Sequence, residues 1–136
     1  MIPLKPHNVL DYVIGALLVI SPWLFGFADV LAARNVFLVL GAGLIVYSLL
    51  TNYYYAIVRV IPLGVHMTLD SLAGVVLILA PALFGYRDLL TTGQYAVHMI
   101  FGIGAIGLVA LTRPRTEAAK TPAERAAIAH EMPIAH

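Results

Sequence analysis

Four apolar stretches dominate the chain: roughly Asn8–Phe27, Val36–Thr51, Met67–Tyr86 and Gln94–Thr112. Each approaches the ~20 residues that a helix needs to cross a bilayer. None alternates apolar and polar residues with the period of a half-buried strand. The pattern therefore predicts four transmembrane helices and no sheet. The second stretch is short unless it runs on through Tyr53, Tyr54 and Tyr55, whose rings suit the headgroup level. The linker after them, Ile57–Leu63, is too apolar for a free aqueous loop and is expected along the membrane interface. Pro62 and Gly64 are expected to break it ahead of the third span. The first span has no small-residue cleavage site and reads as a retained helix rather than a signal peptide.

The polar positions reveal a duplication. An offset of 59 residues brings His7, Asp11, Gly15, Pro22, Phe25, Gly26 and Asp29 onto His66, Asp70, Gly74, Pro81, Phe84, Gly85 and Asp88 without a gap. Each copy is a helical hairpin, repeat 1 over about 7–51 and repeat 2 over about 66–112. Two hairpins in the same sense make parallel repeats about a pseudo-two-fold axis along the membrane normal. The expected fold is all-α and polytopic: a four-helix membrane domain over 1–112, followed by a cytoplasmic tail over 113–136. Thr121-Pro122-Ala123-Glu124 starts a short tail helix with a capping box. About ten residues of helix are marginal alone in water, so a frayed tail is the plainer expectation.

Composition agrees. The 136 residues are 61% hydrophobic and 11% charged, against about 25% charged in a soluble domain. The net charge is +1, and no basic patch with interleaved aromatics suggests nucleic acid. Cysteine is absent, which excludes disulfides, thiolate metal sites and cysteine nucleophiles. Lys5, Arg59, Arg113, Arg115, Lys120 and Arg125 flank one side of the membrane, and Arg34 and Arg87 the other. The positive-inside rule then places both termini in the cytoplasm of a multi-pass inner (plasma) membrane protein.

Ser21-Pro22-Trp23, near the outer end of the first of two helices in a duplicated unit, resembles the SPW repeat family of small bacterial membrane proteins. The likeness covers about His7 to Thr112. It implies a fold and a location, and it brings no reaction and no catalytic residues. The second copy departs from the triplet, with Ala80-Pro81-Ala82 in its place. Pro22 and Pro81 each remove a backbone donor, freeing the carbonyls of Leu18 and Leu77; Ser21 is a candidate partner for the first. Trp23 suits the interface, and Gly26 and Gly85 are expected to end their helices. The signature thus reads as architecture, a kink that packs the hairpins.

Chemistry is confined to two His-x-x-x-Asp pairs. His7 with Asp11, and His66 with Asp70, share one helix face at i,i+4 spacing. Symmetry sets both pairs at one depth, the cytoplasmic end. Imidazole and carboxylate together suit a divalent metal or a proton relay. The plainer reading is capping and hairpin docking: Asn8 as N-cap with Asp11 in the first turn, and His66 or Thr68 capping the third helix. His7 and His66 are also the only histidines at a common depth for haem. His98 lies near the other face, opposite Val39 under the same offset, and pairs with neither. No cofactor is expected, with a metal ion or haem as the alternative.

Gly102-Ile103-Gly104-Ala105-Ile106-Gly107 matches a dinucleotide fingerprint but lies in an apolar span, where small residues serve helix packing instead. Gly15, Gly41, Gly43, Gly74, Gly102 and Gly104 are assigned to packing between hairpins or protomers. The functional expectation is a non-catalytic structural or interaction subunit, partnered by lipid and by itself or another membrane protein. A binding or transport protein using the His–Asp pairs is the alternative.

Overall fold

A computed structural model describes residues 4–51, 57–58 and 60–112, with side chains from Pro6 onward. Four helices fill it: α1 (Leu4–Leu24), α2 (Leu31–Leu50), α3 (Leu63–Leu83) and α4 (Thr92–Leu111). All four are long and apolar enough to cross a membrane. The tail and most of the tyrosine linker lie outside the described residues. So does the tail helix expected at Thr121.

The duplication is visible in burial. α1 buries His7, Asn8, Asp11, Gly15, Leu18, Ser21 and Pro22, and α3 buries His66, Met67, Asp70, Gly74, Leu77, Ala80 and Pro81. The two sets coincide under the 59-residue offset. Most other residues of both helices face outward, as lipid requires no polar cover. The second helices follow a different offset. α2 maps onto α4 at 61 residues, because the connection from α3 to α4 holds a 3₁₀ turn, Arg87–Leu89, that makes it two residues longer. Under this register Gly41 matches Gly102, and Thr51 matches Thr112. His98 then corresponds to Phe37, not to Val39 as the single offset implied.

Packing is tight within each hairpin, α1 on α2 and α3 on α4, while α2 on α3 carries the principal helix contact between hairpins. Glycine explains the tightness. A Cβ at Gly41 would stand 2.8 Å from the Gly15 carbonyl oxygen and 2.9 Å from the Val19 nitrogen. Gly74 and Gly102 form the matching crossing, where a Cβ on either would stand 2.7 Å from the other's carbonyl oxygen. These glycines therefore pack inside hairpins rather than between them. A Cβ at Gly43 or Gly104 would meet nothing within 4 Å, so no close approach among the described residues depends on these two glycines.

Pro22 and Pro81 do not break their helices, which run on to Leu24 and Leu83. The stop comes at Gly26 (φ 70°) and Gly85 (φ 67°). Phe27 donates its N–H to the Pro22 carbonyl at 2.8 Å, and Tyr86 to that of Pro81 at 3.0 Å. These are Schellman closures, with a left-handed glycine and a buried aromatic just past it. The Ser21 hydroxyl donates to Leu17 at 2.6 Å, not to Leu18, so it does not repair the proline gap. Trp23 is exposed, as an interfacial indole should be.

Phe27 and Tyr86 enter a second symmetric cluster with Phe37 and His98. The Phe37 and His98 rings stand 4.7 Å apart, centroid to centroid. α4 opens with a capping box, Thr91 with Gln94, and the Gln94 amide also donates to the Phe25 and Gly26 carbonyls. One side chain thus caps its own helix and ties it to the other hairpin. At the opposite end, the chain after the tyrosines returns over α2: Val60 and Ile61 both donate to the Leu50 carbonyl at 2.9 Å. Ile57, Val58 and Val60 stay exposed. Gly64 lies in the first turn of α3 rather than in a break before it.

Gly41→Ala should cost at least the ~1–3 kcal/mol of an overpacked core, because backbone atoms face the new methyl. Gly104→Ala should cost nothing comparable. Thermal unfolding of the two variants in detergent checks the difference.

Candidate functional site

Where each histidine sits follows from the helix starts. α1 begins at Leu4 and α3 at Leu63, so His7 and His66 are each three residues in, and Asp11 and Asp70 each seven. Neither helix has an acidic residue in its first turn. The capping reading of Asn8 and Asp11 therefore fails: both lie inside α1. The α3 N-cap is Pro62, with no side-chain cap. Both pairs instead turn inward and meet.

His7, Asp11, His66 and Asp70 form one buried quartet, all exposed by 7% or less. His7 Nε2 lies 3.4 Å from Asp11 and 3.3 Å from Asp70. His66 Nε2 lies 3.2 Å from each carboxylate. Asp70 offers Oδ2 to both imidazoles, while Asp11 offers one oxygen to each. The imidazole rings are edge-to-face with centroids 6.1 Å apart. A porphyrin between them would have to part all four contacts, so the geometry does not suit a bis-histidine haem.

Two threonines fix the histidines. The Thr112 hydroxyl donates to the Leu108 carbonyl at 2.7 Å, which leaves its oxygen to accept from His7 Nδ1, also at 2.7 Å. The Thr51 hydroxyl donates to Tyr47 at 2.6 Å and accepts from His66 Nδ1 at 2.9 Å. Both imidazoles thus carry a proton on Nδ1 and turn Nε2 to the centre. The arrangement is exchanged between repeats: each histidine is held by the threonine of the other hairpin. Tyr47 adds an asymmetry, donating its hydroxyl to Asp70 Oδ1 at 2.5 Å. Its counterpart in α4 is Leu108, so Asp11 has no such donor from the equivalent position.

Electrostatics set the demand on this site. Two ionised carboxylates in a dry interior are very costly unless neutralised. With Nδ1 already committed to threonine, neutralisation must come at the centre. A proton on each Nε2 or one divalent cation meets the demand equally. Beside the quartet, a small cavity of about 30 Å³ is bounded by Asp11, Asp70, Tyr47, Leu44 and Phe101. That is room for a water molecule or two.

The other sequence-derived residues lie elsewhere. Ser21, Pro22 and Trp23 sit some 15 residues along α1 from His7, about 22 Å away. His98 belongs to the aromatic cluster there, with Nδ1 on the Gln94 carbonyl at 2.9 Å. Its Nε2 and the Tyr86 hydroxyl are buried and have no hydrogen-bond partner among the described residues. Sequence reasoning missed Thr51, Thr112 and Tyr47. The two threonines become visible once the second helices are aligned at 61 rather than 59.

This geometry, hairpins duplicated in parallel with the Ser-Pro-Trp triplet closing the first helix, agrees with the comparison of the chain with protein families. The SPW repeat domain matches residues 5–113. The chain belongs to the SPW repeat family. Comparisons with curated proteins and with solved structures each returned no significant match. As an SPW repeat protein, the chain places its family signature at one end of the bundle and its quartet at the other.

His66→Ala should destabilise the fold by ~3–5 kcal/mol, since it leaves a buried carboxylate pair short of a partner. Thr51→Val should cost less, ~1–3 kcal/mol for one stranded buried donor. Unfolding transitions of both variants, measured in the same detergent, give the order.

Proposed function

We propose that this SPW repeat protein is a non-catalytic subunit of a bacterial inner membrane. It would use the His–Asp quartet as an internal clasp and its outer faces to associate with itself or with a larger membrane complex. The observation that carries this reading is enclosure. Every member of the quartet is buried, exposed by 7% or less, and the adjoining cavity of about 30 Å³ is far below the ~300–1,000 Å³ of a pocket for an organic ligand. A larger groove of about 360 Å³ lies between α2 and α3, lined by Asn35, Val39, Val76 and Phe84 among others, but no titratable residue borders it. Chemistry and substrate-sized space therefore do not coincide.

The clasp joins elements that otherwise meet over little surface. Between the hairpins, α2 against α3 is the principal helix packing. The quartet and its threonines hold one end together, and Gln94 holds the other. In a bilayer, where lipid is as apolar as leucine, such polar links and close packing drive helix association. Enclosure also supports a second reading, binding or transport at the quartet of something no larger than an ion or a proton.

Both termini are assigned to the cytoplasm on the lysine and arginine distribution. The chain has no cysteine, so single cysteines report cleanly. Asp29→Cys and Asp88→Cys, at exposed turns, should react with an impermeant maleimide added to intact cells. Lys120→Cys should react only after permeabilisation; the reverse pattern would overturn the orientation. For association, the protein extracted in mild detergent should run as an oligomer or retain a partner after crosslinking in the membrane. A monodisperse monomer without partners would count against the subunit reading.

A further inference from the structure

We infer that the quartet is a structural binding site for one divalent transition-metal ion, zinc by its geometry, held by His7 Nε2, His66 Nε2, Asp11 and Asp70. The inference rests on the clasp reading and says what closes the clasp.

The separations are the first argument. Charge-assisted N–H···O bonds to carboxylates run at ~2.7–2.9 Å. All four His–Asp separations here are 3.2–3.4 Å. A tetrahedral ion with bonds of ~2.0–2.1 Å to nitrogen and oxygen spaces its ligands by about 3.3 Å along each edge. The contacts are long for charge-assisted hydrogen bonds, and all four side chains crowd one centre, with Asp11 presenting a different oxygen to each histidine. One ligand atom from each residue can be chosen so that all lie within 4.8 Å of one another.

Second, the ligands are prepared as metal ligands are. A metal-bound histidine almost always donates its other ring N–H to an outer partner, which sets the tautomer and the ring orientation. Thr112 and Thr51 do this for His7 and His66, and their own protons are spent on helix carbonyls. Each Nε2 therefore points inward, onto the two carboxylates. Tyr47 occupies Asp70 Oδ1, leaving Oδ2 as that residue's inward oxygen. Third, the charge closes: two carboxylates and two neutral imidazoles make a dianionic set, which one divalent ion neutralises. Fourth, four protein ligands in an enclosed site match structural rather than catalytic zinc, since catalytic sites keep a position open. Cysteine is absent, and a nitrogen and oxygen set also accepts iron or manganese.

The test uses the full chain, extracted in mild detergent without a polyhistidine tag and stripped with a chelator. Zinc chloride is added back, excess is removed by desalting, and metal content and melting temperature are read together. The inference expects close to one zinc per chain, and a melting temperature lowered by the chelator and restored by zinc. Cobalt chloride in place of zinc should give the intense visible bands of a four-coordinate ion. Asp11→Asn, which keeps the side chain's shape, should lose the ion. Thr112→Val, which keeps all four ligands, should weaken binding by ~10–100-fold and remain folded. His130→Ala with His136→Ala, in the tail, should bind as the parent does.

Absence of stoichiometric metal, with a melting temperature indifferent to chelator and zinc, would overturn the inference. So would equal binding by Asp11→Asn, which would locate the ion elsewhere. The clasp itself is tested separately: if His66→Ala melts well below the parent while zinc moves neither protein, the clasp stands and the metal falls. If His66→Ala melts with the parent in the presence and absence of zinc, both fall.

Discussion

The constraint on which this molecule turns is the neutralisation of two carboxylates inside an apolar bundle. Asp11 and Asp70 are expensive residues to bury in a protein with so little polar surface. They are tolerable only because two histidines face them and two threonines turn those histidines the right way. Removing any link leaves a buried polar or charged group short of a partner. The remainder of the helix surface is fungible by comparison, since one aliphatic side chain in lipid serves about as well as another.

That constraint acts together with a geometric one. The glycine crossings within each hairpin bring α1 and α2, and α3 and α4, close enough to behave as rigid pairs. The hairpins then have two remaining points of polar attachment, the quartet at one end and Gln94 with the α1 carbonyls at the other. Between them lie aliphatic side chains and the small central cavity. The design resembles two stiff forks pinned at both ends, with each pin made of hydrogen bonds.

Much of this was legible in the sequence, for reasons that can be stated. The spans followed from length and hydropathy, and the hairpin repeat from costly residues recurring at one spacing. The helix stops at Gly26 and Gly85 followed from glycine's access to the left-handed region. Three readings failed on local detail. The capping role given to Asn8 and Asp11 assumed too late a helix start: α1 already begins at Leu4, with Pro6 in its first turn, where proline is at home. The pairing of His98 with Val39 carried one offset through a connection that is two residues longer in the second copy. The assignment of glycines to the interface between hairpins overlooked that an antiparallel pair joined by a short turn meets first. The quartet's convergence was foreseeable as a possibility from symmetry, but its locking by Thr51 and Thr112 needed the correct second register.

The exchange of threonines between repeats bears on how the molecule comes into being. An inserted hairpin on its own carries a histidine whose Nδ1 partner belongs to the other hairpin and a carboxylate with half of its neutralising company. Neither half is chemically complete in the bilayer. Both threonines and both cross-hairpin His–Asp contacts bridge the same two hairpins, so one docked arrangement supplies them all. The site therefore doubles as a record of correct docking: a misregistered pair of hairpins would leave its two carboxylates and two imidazoles without partners in an apolar surrounding.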